Sequence, residues 1–283
     1  MRRVRGLGEL ADGYDGLLCD VWGVMHNGVK AFPAAADALL KFRERRGPVV
    51  LITNAPRPYG AIAGQLRALG VPDDAYDALV TSGDVTRAVI AERPGVRLFH
   101  IGPDRDLPFY DGLDVKFVSA EEADLISCTG LLDDATETPE HYRRLLERLC
   151  ARGLTMVCAN PDLVVERGDI LVYCAGALAR LYGELGGRAI LVGKPHAPIY
   201  EAARKKLAGL GAGAHILAVG DGLPTDIRGA VDNGLPVLFV TGGIHAADFG
   251  PTDDPDGERV AARLHAEGLA AVAYLPALVW EAA

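Results

Sequence analysis

A chain of 283 residues can form one large domain or two medium ones, and 49% hydrophobic with 24% charged residues is the composition of an ordinary globular protein. The balance of 29 basic against 38 acidic residues, a net charge of -9, argues against a general nucleic-acid or anionic-membrane binder, which needs a basic face. It leaves room for a small phosphorylated substrate, because one lysine and a metal can bind such a molecule.

No apolar run approaches the roughly 18 residues of a membrane span. The basic start, residues 1–6, meets Glu9, Asp12 and Asp15 where a signal peptide needs its apolar stretch. Cys19, Cys128, Cys150, Cys158 and Cys174 form no C-x-x-C pair and sit in apolar contexts, which predicts buried reduced thiols rather than a zinc site or disulfides. A cytoplasmic location is expected.

In chain order, short apolar runs alternate with amphipathic stretches, predicting strand–helix alternation and a largely parallel sheet. The run 16–19 leads into Asp20. A helix over 35–46 carries Leu39, Leu40 and Phe42 and stops at Gly47. The run 49–52 leads into Thr53 and Asn54, and a helix over 61–69 stops at Gly70. The middle of the chain predicts its own strands over 97–101, 115–118, 125–128 and 155–158. There Thr138-Pro139-Glu140 opens a helix, with a cap residue and a first-turn proline, that reaches about Cys150. The run 189–192 leads into Gly193 and Lys194, a helix covers 198–207, and the run 216–219 leads into Gly220 and Asp221. The run 236–240 ends at Thr241-Gly242-Gly243, and 253–283 closes the chain with a helix and a strand. The organisation expected is a core domain of 1–83 plus 187–283, interrupted by an inserted α/β domain at 84–186.

Ligands of an open parallel sheet bind beyond the carboxyl ends of its strands. Four apolar runs deliver polar groups there: Asp20, Thr53 with Asn54, Lys194, and Asp221 with Asp226. Three carboxylates and one ammonium leave a negative excess that a cation must offset. Oxygen ligands with few protein contacts favour Mg²⁺, which retains waters and bridges to substrate phosphate. Asp20 can then attack phosphorus in line, giving an aspartyl-phosphate that water hydrolyses. Thr53, the amides near Asn54 and the Lys194 ammonium would hold the equatorial oxygens.

At these residues the sequence resembles the haloacid dehalogenase (HAD) superfamily, class IIA, the NagD-like or nitrophenylphosphatase-like branch. The resemblance runs through Asp20-Val21-Trp22-Gly23-Val24, Leu51-Ile52-Thr53-Asn54, Val192-Gly193-Lys194-Pro195 and Gly220-Asp221-Gly222-Leu223-Pro224-Thr225-Asp226-Ile227. Asn160-Pro161-Asp162 in the inserted domain matches as well. The resemblance implies an α/β fold, a Rossmann-like parallel-sheet core with an inserted α/β cap domain of type C2. It implies a Mg²⁺-dependent phosphomonoester hydrolase acting on a small cytoplasmic phosphometabolite. Asp20 is then nucleophile and metal ligand, Lys194 catalytic and phosphate-binding, Thr53 and Asn54 phosphate-binding. Asp221, Asp226 and the backbone carbonyl of Trp22 complete the metal set, and apolar cap surface is compatible with a homodimer.

One position departs from the family pattern. Phosphatases of the family carry a second Asp two residues after the nucleophile as general acid and base; here it is Trp22, which transfers no proton. That leaves an alternative open: a slow or non-hydrolytic phosphate- and metal-binding regulatory protein. His26, six residues after Asp20, is a second source of a proton from the same loop, although an ordinary loop histidine is the plainer reading. Plainer readings exist elsewhere too. Asp226 suits a helix cap, Asn160 and Asp162 suit the turn that Pro161 imposes, His196 suits a helix start, and 43–46 suits a solvated helix end. An oxidoreductase or a P-loop kinase is discounted, because neither glycine-rich fingerprint occurs.

Overall fold

The computed structural model describes residues 1–167 and 170–281. In chain order the strands are β1 (Arg2–Arg3), β2 (Gly16–Asp20), β3 (Val49–Thr53), β4 (Ala78–Thr81), β5 (Val96–Ile101), β6 (Val115–Phe117) and β7 (Leu125–Cys128). They continue with β8 (Thr155–Cys158), β9 (Val164–Arg167), β10 (Ile170–Tyr173), β11 (Arg188–Leu191), β12 (Ile216–Gly220), β13 (Val237–Val240) and β14 (Ala273–Leu275). The helices are α1 (Pro33–Arg45), α2 (Tyr59–Leu69), α3 (Ser82–Ala91), α4 (Arg143–Ala151), α5 (Ala175–Glu184), α6 (Ala197–Gly209), α7 (Arg228–Asp232) and α8 (Gly257–Ala266).

Two compact units result. The first takes Met1–Thr53, Gly60–Val80 and the chain from Ile199 onward; the second takes Asn54–Tyr59 and Thr81–Pro198. The first holds a seven-stranded sheet in the order β1-β14-β13-β12-β2-β3-β4. The pairings from β1 through β14, β13, β12 and β2 to β3 are all parallel. Every residue of β2, β3, β12 and β13 is buried, as expected of parallel strands covered on both faces and written as continuous apolar runs.

Helix α1 begins at Pro33, whose missing N–H costs nothing in a first turn, and buries Ala35, Ala36, Ala38, Leu39 and Phe42. At its basic end Glu44, Arg45 and Arg46 are exposed, as the sequence suggests, while Arg43 is half-buried. Arg43 forks onto the Asp77 carboxylate, which also accepts the Val49 N–H at the start of β3, at 2.8 Å. One acidic side chain thus joins helix, strand and the approach to β4.

In the second unit a five-stranded parallel sheet runs β11-β8-β7-β5-β6, and β9 and β10 form a separate antiparallel pair. Its core packs Ile126, Met156, Leu146, Leu149, Leu178 and Tyr182 between this sheet and α4 and α5. The five cysteines are free, and all but Cys150 are buried. Cys158 is fully buried, and that burial pushes its thiol up to about 12.

One expectation is corrected by the strand pairing. The run ending before Gly193 is not a core strand: β11 pairs with β8, Arg188 opposite Thr155 and Leu191 opposite Cys158. The second unit accordingly extends to Pro198, past the expected limit of 186, and it begins at Thr81. A four-residue apolar run followed by glycine reads alike in either sheet, because its partner is distant in sequence.

Candidate active site

Asp20 is the last residue of β2, and Asp221 directly follows the end of β12, the neighbouring strand. Asp226 lies in the π-helical turn Leu223–Ile227. One carboxylate oxygen from each of the three lies within 4.8 Å of the others, and all three residues are buried. Thr53 ends β3 on the other side of β2 and is also buried.

The local sequence explains how three carboxylates come so close. Gly220 packs against Asp226, where a Cβ would approach the Asp226 Cβ to 2.3 Å. Asp226 Oδ2 accepts the Gly222 N–H at 3.0 Å, and the Asp226 N–H returns to the Gly222 carbonyl at 2.8 Å. The Gly-Asp-Gly-x-x-Thr-Asp spacing is therefore one closed turn with its acids turned in. Asp221 is held differently: Oδ2 accepts the Ile244 N–H at 2.8 Å. A Cβ on Gly23 or Gly243 would lie 2.1 or 1.9 Å from that same oxygen. Gly23 also has φ +84°, which an L side chain adopts only with strain. These glycines and the Ile244 amide form a cradle that the sequence reading did not assign, although Gly23 and the Gly242-Gly243 pair were in view.

Three buried anions within this space need a cation, since burial of like charges is costly unless offset. The donor set is oxygen only, which fits a hard divalent ion. The residues present therefore fit such a metal, with Asp20, Asp221 and Asp226 able to hold it.

Of the other expected residues, Asn54 and Lys194 lie in the second unit. Lys194 is buried, and Asn54 is buried beside it. The Asn54 amide accepts the Lys194 N–H at 2.7 Å and donates to the Lys194 carbonyl at 3.0 Å and to Asp162 Oδ1 at 2.8 Å. Asn160, in turn, accepts the Asp162 N–H at 3.0 Å. Within each unit, then, the expected residues gather: three acids with Thr53 in one, Asn54 with Lys194 in the other. His196 caps a turn through its N–H to the Gly193 carbonyl, just before α6.

Trp22 is 38% exposed, and a Cβ on Gly28 would lie 3.5 Å from its indole Nε1. His26 lies in the same loop. Its ring is buried, burial holds it below the usual histidine range, and Nδ1 accepts the Gly28 N–H at 2.9 Å. The Gly23 N–H donates to the His26 carbonyl and the Phe32 N–H to the Met25 carbonyl, both at 2.8 Å. His26 is thus a fastener of the 22–32 loop.

The chain is 50% identical to a hydrolase of the haloacid dehalogenase-like family from Brucella suis 1330 over 99% of this chain and 100% of that one, with a TM-score of 0.82. This chain belongs to that family. A model described as haloacid dehalogenase-like hydrolase matches residues 17–116, and a HAD-hydrolase-like model matches 191–266. The ribonucleotide monophosphatase NagD of Escherichia coli strain K12 is 26% identical over 241 residues, 82% of this chain and 89% of that protein. The structure of a glycerol phosphate phosphatase from Mycobacterium tuberculosis in complex with magnesium shares 25% identity over 84% of this chain and 71% of that one, with a TM-score of 0.66. The membership is that of class IIA, and the enzyme is a HAD phosphatase with a Rossmann-like α/β core.

Proposed function

We propose that this chain is a Mg²⁺-dependent phosphomonoesterase that acts through an aspartyl-phosphate on Asp20, with a small cytoplasmic phosphometabolite as substrate. The observation that carries the proposal is the buried trio of Asp20, Asp221 and Asp226 with oxygens within 4.8 Å at the carboxyl end of the β2–β12 pair. Magnesium, held by the three carboxylates and the Trp22 carbonyl, would offset their charge and that of the phosphate dianion.

In this reading an Asp20 carboxylate oxygen attacks phosphorus. The bond to the ester oxygen breaks, and the leaving group departs with the electron pair. Water then attacks the phosphorus of the aspartyl-phosphate, releasing inorganic phosphate and restoring the carboxylate. Thr53, the Asn54 backbone amide and Lys194 bind the phosphoryl oxygens, and the lysine offsets charge that builds up during transfer. Trp22 supplies no proton to the leaving group and takes none from the water, so solvent gives the one proton and takes up the other. Hydrolytic relatives support turnover over the purely regulatory alternative. A phosphatase of ribonucleotides and one of glycerol phosphate share this fold, so the substrate is set by side chains outside the motifs.

The free, mostly buried thiols support the cytoplasmic location, and no helix among the described residues is long and apolar enough to cross a membrane. The acidic balance supports a small-molecule partner rather than nucleic acid, and exposed Leu107 and Phe117 on the second unit support a homodimer. The test is phosphate release from a panel of phosphorylated metabolites and nitrophenyl phosphate, with and without Mg²⁺. Metal-dependent release that vanishes in Asp20→Asn is expected. Release that persists in that variant would overturn the assignment of Asp20.

A further inference from the structure

We infer that Asn54 and Asp162 act as positioning residues for Lys194, and that the Asn54 side chain serves the reaction through that lysine rather than by touching phosphate. The inference rests on the phosphatase reading above for the role of Lys194, and on its own geometry for the clamp.

The Asn54 amide is fully engaged. Its oxygen accepts the Lys194 N–H at 2.7 Å; its nitrogen donates to the Lys194 carbonyl at 3.0 Å and to Asp162 Oδ1 at 2.8 Å. Only one orientation of the amide satisfies all three partners, because an N–H must meet oxygen and two oxygens must meet NH₂. Both polar groups of the Lys194 backbone are thereby paired with a side chain 140 residues away, in the way one strand pairs with another. The amide nitrogen has two hydrogens and both are used, so the side chain has no N–H left for a substrate.

The surroundings are built for this pairing. A Cβ on Gly193 would lie 2.6 Å from Asn54 Oδ1 and 2.7 Å from the Pro161 ring, so the approach needs glycine for space alone. Asn160 holds the Asp162 N–H at 3.0 Å, which fixes the carboxylate that Asn54 meets. The Asn160-Pro161-Asp162 turn thus buttresses the lysine segment, a task its own loop chemistry does not require. Lysine has a long flexible stem, and the less its backbone moves, the less its ammonium wanders. A misplacement of about 1 Å in a reacting group can cost about 10²-fold in rate.

The decisive experiment is a double-mutant cycle on kcat/KM in the full-length protein with Mg²⁺ and nitrophenyl phosphate. Asn54→Ala is expected to lower kcat/KM by about 10- to 100-fold, the usual cost of an outer support. In a Lys194→Ala background the same change is expected to cost less than about 3-fold, because the group it positions is gone. An undiminished loss in that background would mean that Asn54 acts on substrate directly, and would overturn the inference. Amide hydrogen exchange at Lys194 gives a second readout that needs no turnover. Asn54→Ala should speed it, and so should Asn54→Asp, which sets a carboxylate oxygen against the Lys194 carbonyl and Asp162 and loses activity with it. Unchanged exchange in Asn54→Ala would overturn the clamp. The exchanged pair, Asn54→Asp with Asp162→Asn, puts a donor back opposite an acceptor and should recover part of the activity lost in Asn54→Asp. Absence of recovery would remove Asp162 from the device. A wild-type protein that released no phosphate would refute the phosphatase reading, and the exchange result would still decide the clamp.

Discussion

Among single residues, Trp22 has the largest chemical consequence. Loss of a general acid or base typically costs about 10²–10⁴-fold, and His26 is tied into its own loop by the Gly28 N–H. Substrates whose leaving groups depart unprotonated suffer least. Trp22→Asp is therefore expected to raise kcat for alkyl phosphates well above its effect on nitrophenyl phosphate. Steady-state rates on the two substrates check this, and equal gains would remove the general-acid explanation. Gly23 makes an opposite point. A methyl group there would meet Asp221 Oδ2 at 2.1 Å, on a backbone with φ +84°. Gly23→Ala should weaken metal binding by about 10-fold or more, as loss of a support around a ligand does. Isothermal titration with Mg²⁺ measures it, and unchanged affinity would show that the cradle is dispensable.

At the scale of elements, Asp77 binds three pieces together. Its carboxylate takes Arg43 from α1 and the Val49 N–H at the first residue of β3. Both side chains are only partly exposed, so water replaces the lost partners incompletely. Asp77→Ala should cost about 1–3 kcal/mol of stability, the range for leaving a buried donor unsatisfied. The denaturation midpoint reports it, and a change within a few tenths would mean that Arg43 finds another acceptor. The elements themselves were largely legible in the sequence. The buried runs of β2, β3, β12 and β13 and the stops at Gly47 and Gly70 follow from local pattern and glycine chemistry. The helix α5 and the β9–β10 pair escaped, since short apolar stretches without caps leave helix and strand undecided.

For the molecule as a whole, acid is the condition that should separate folded from unfolded. Burial holds His26, His100 and His245 below the usual histidine range near 6.5. Folded pKa values depressed in this way mean that the unfolded chain binds more protons once the pH drops through about 6.5, so stability falls as the pH falls. Asp15, held below the carboxylate range mainly by the His215 N–H, acts in the same direction at lower pH. Thermal unfolding midpoints should therefore decline steadily from pH 7 to pH 5, and His100→Gln should flatten the decline. A midpoint that rises on acidification would contradict the assigned burial of these rings.

The placement of the candidate site was legible in the sequence. Asp20, Thr53, Lys194, Asp221 and Asp226 each end or follow a strand or sit in a glycine-bounded turn, and such signals are local: a residue type, a spacing, a preceding apolar run. Three things were decided by tertiary structure alone. The strand before Lys194 joins β8 rather than the core sheet. The Asn54 side chain spends its hydrogen bonds on Lys194 and Asp162. Gly23, Gly243 and the Ile244 amide close around Asp221. Each is a contact between segments far apart in the chain, where the choice of partner depends on packing and hydrogen-bond geometry that no local pattern encodes.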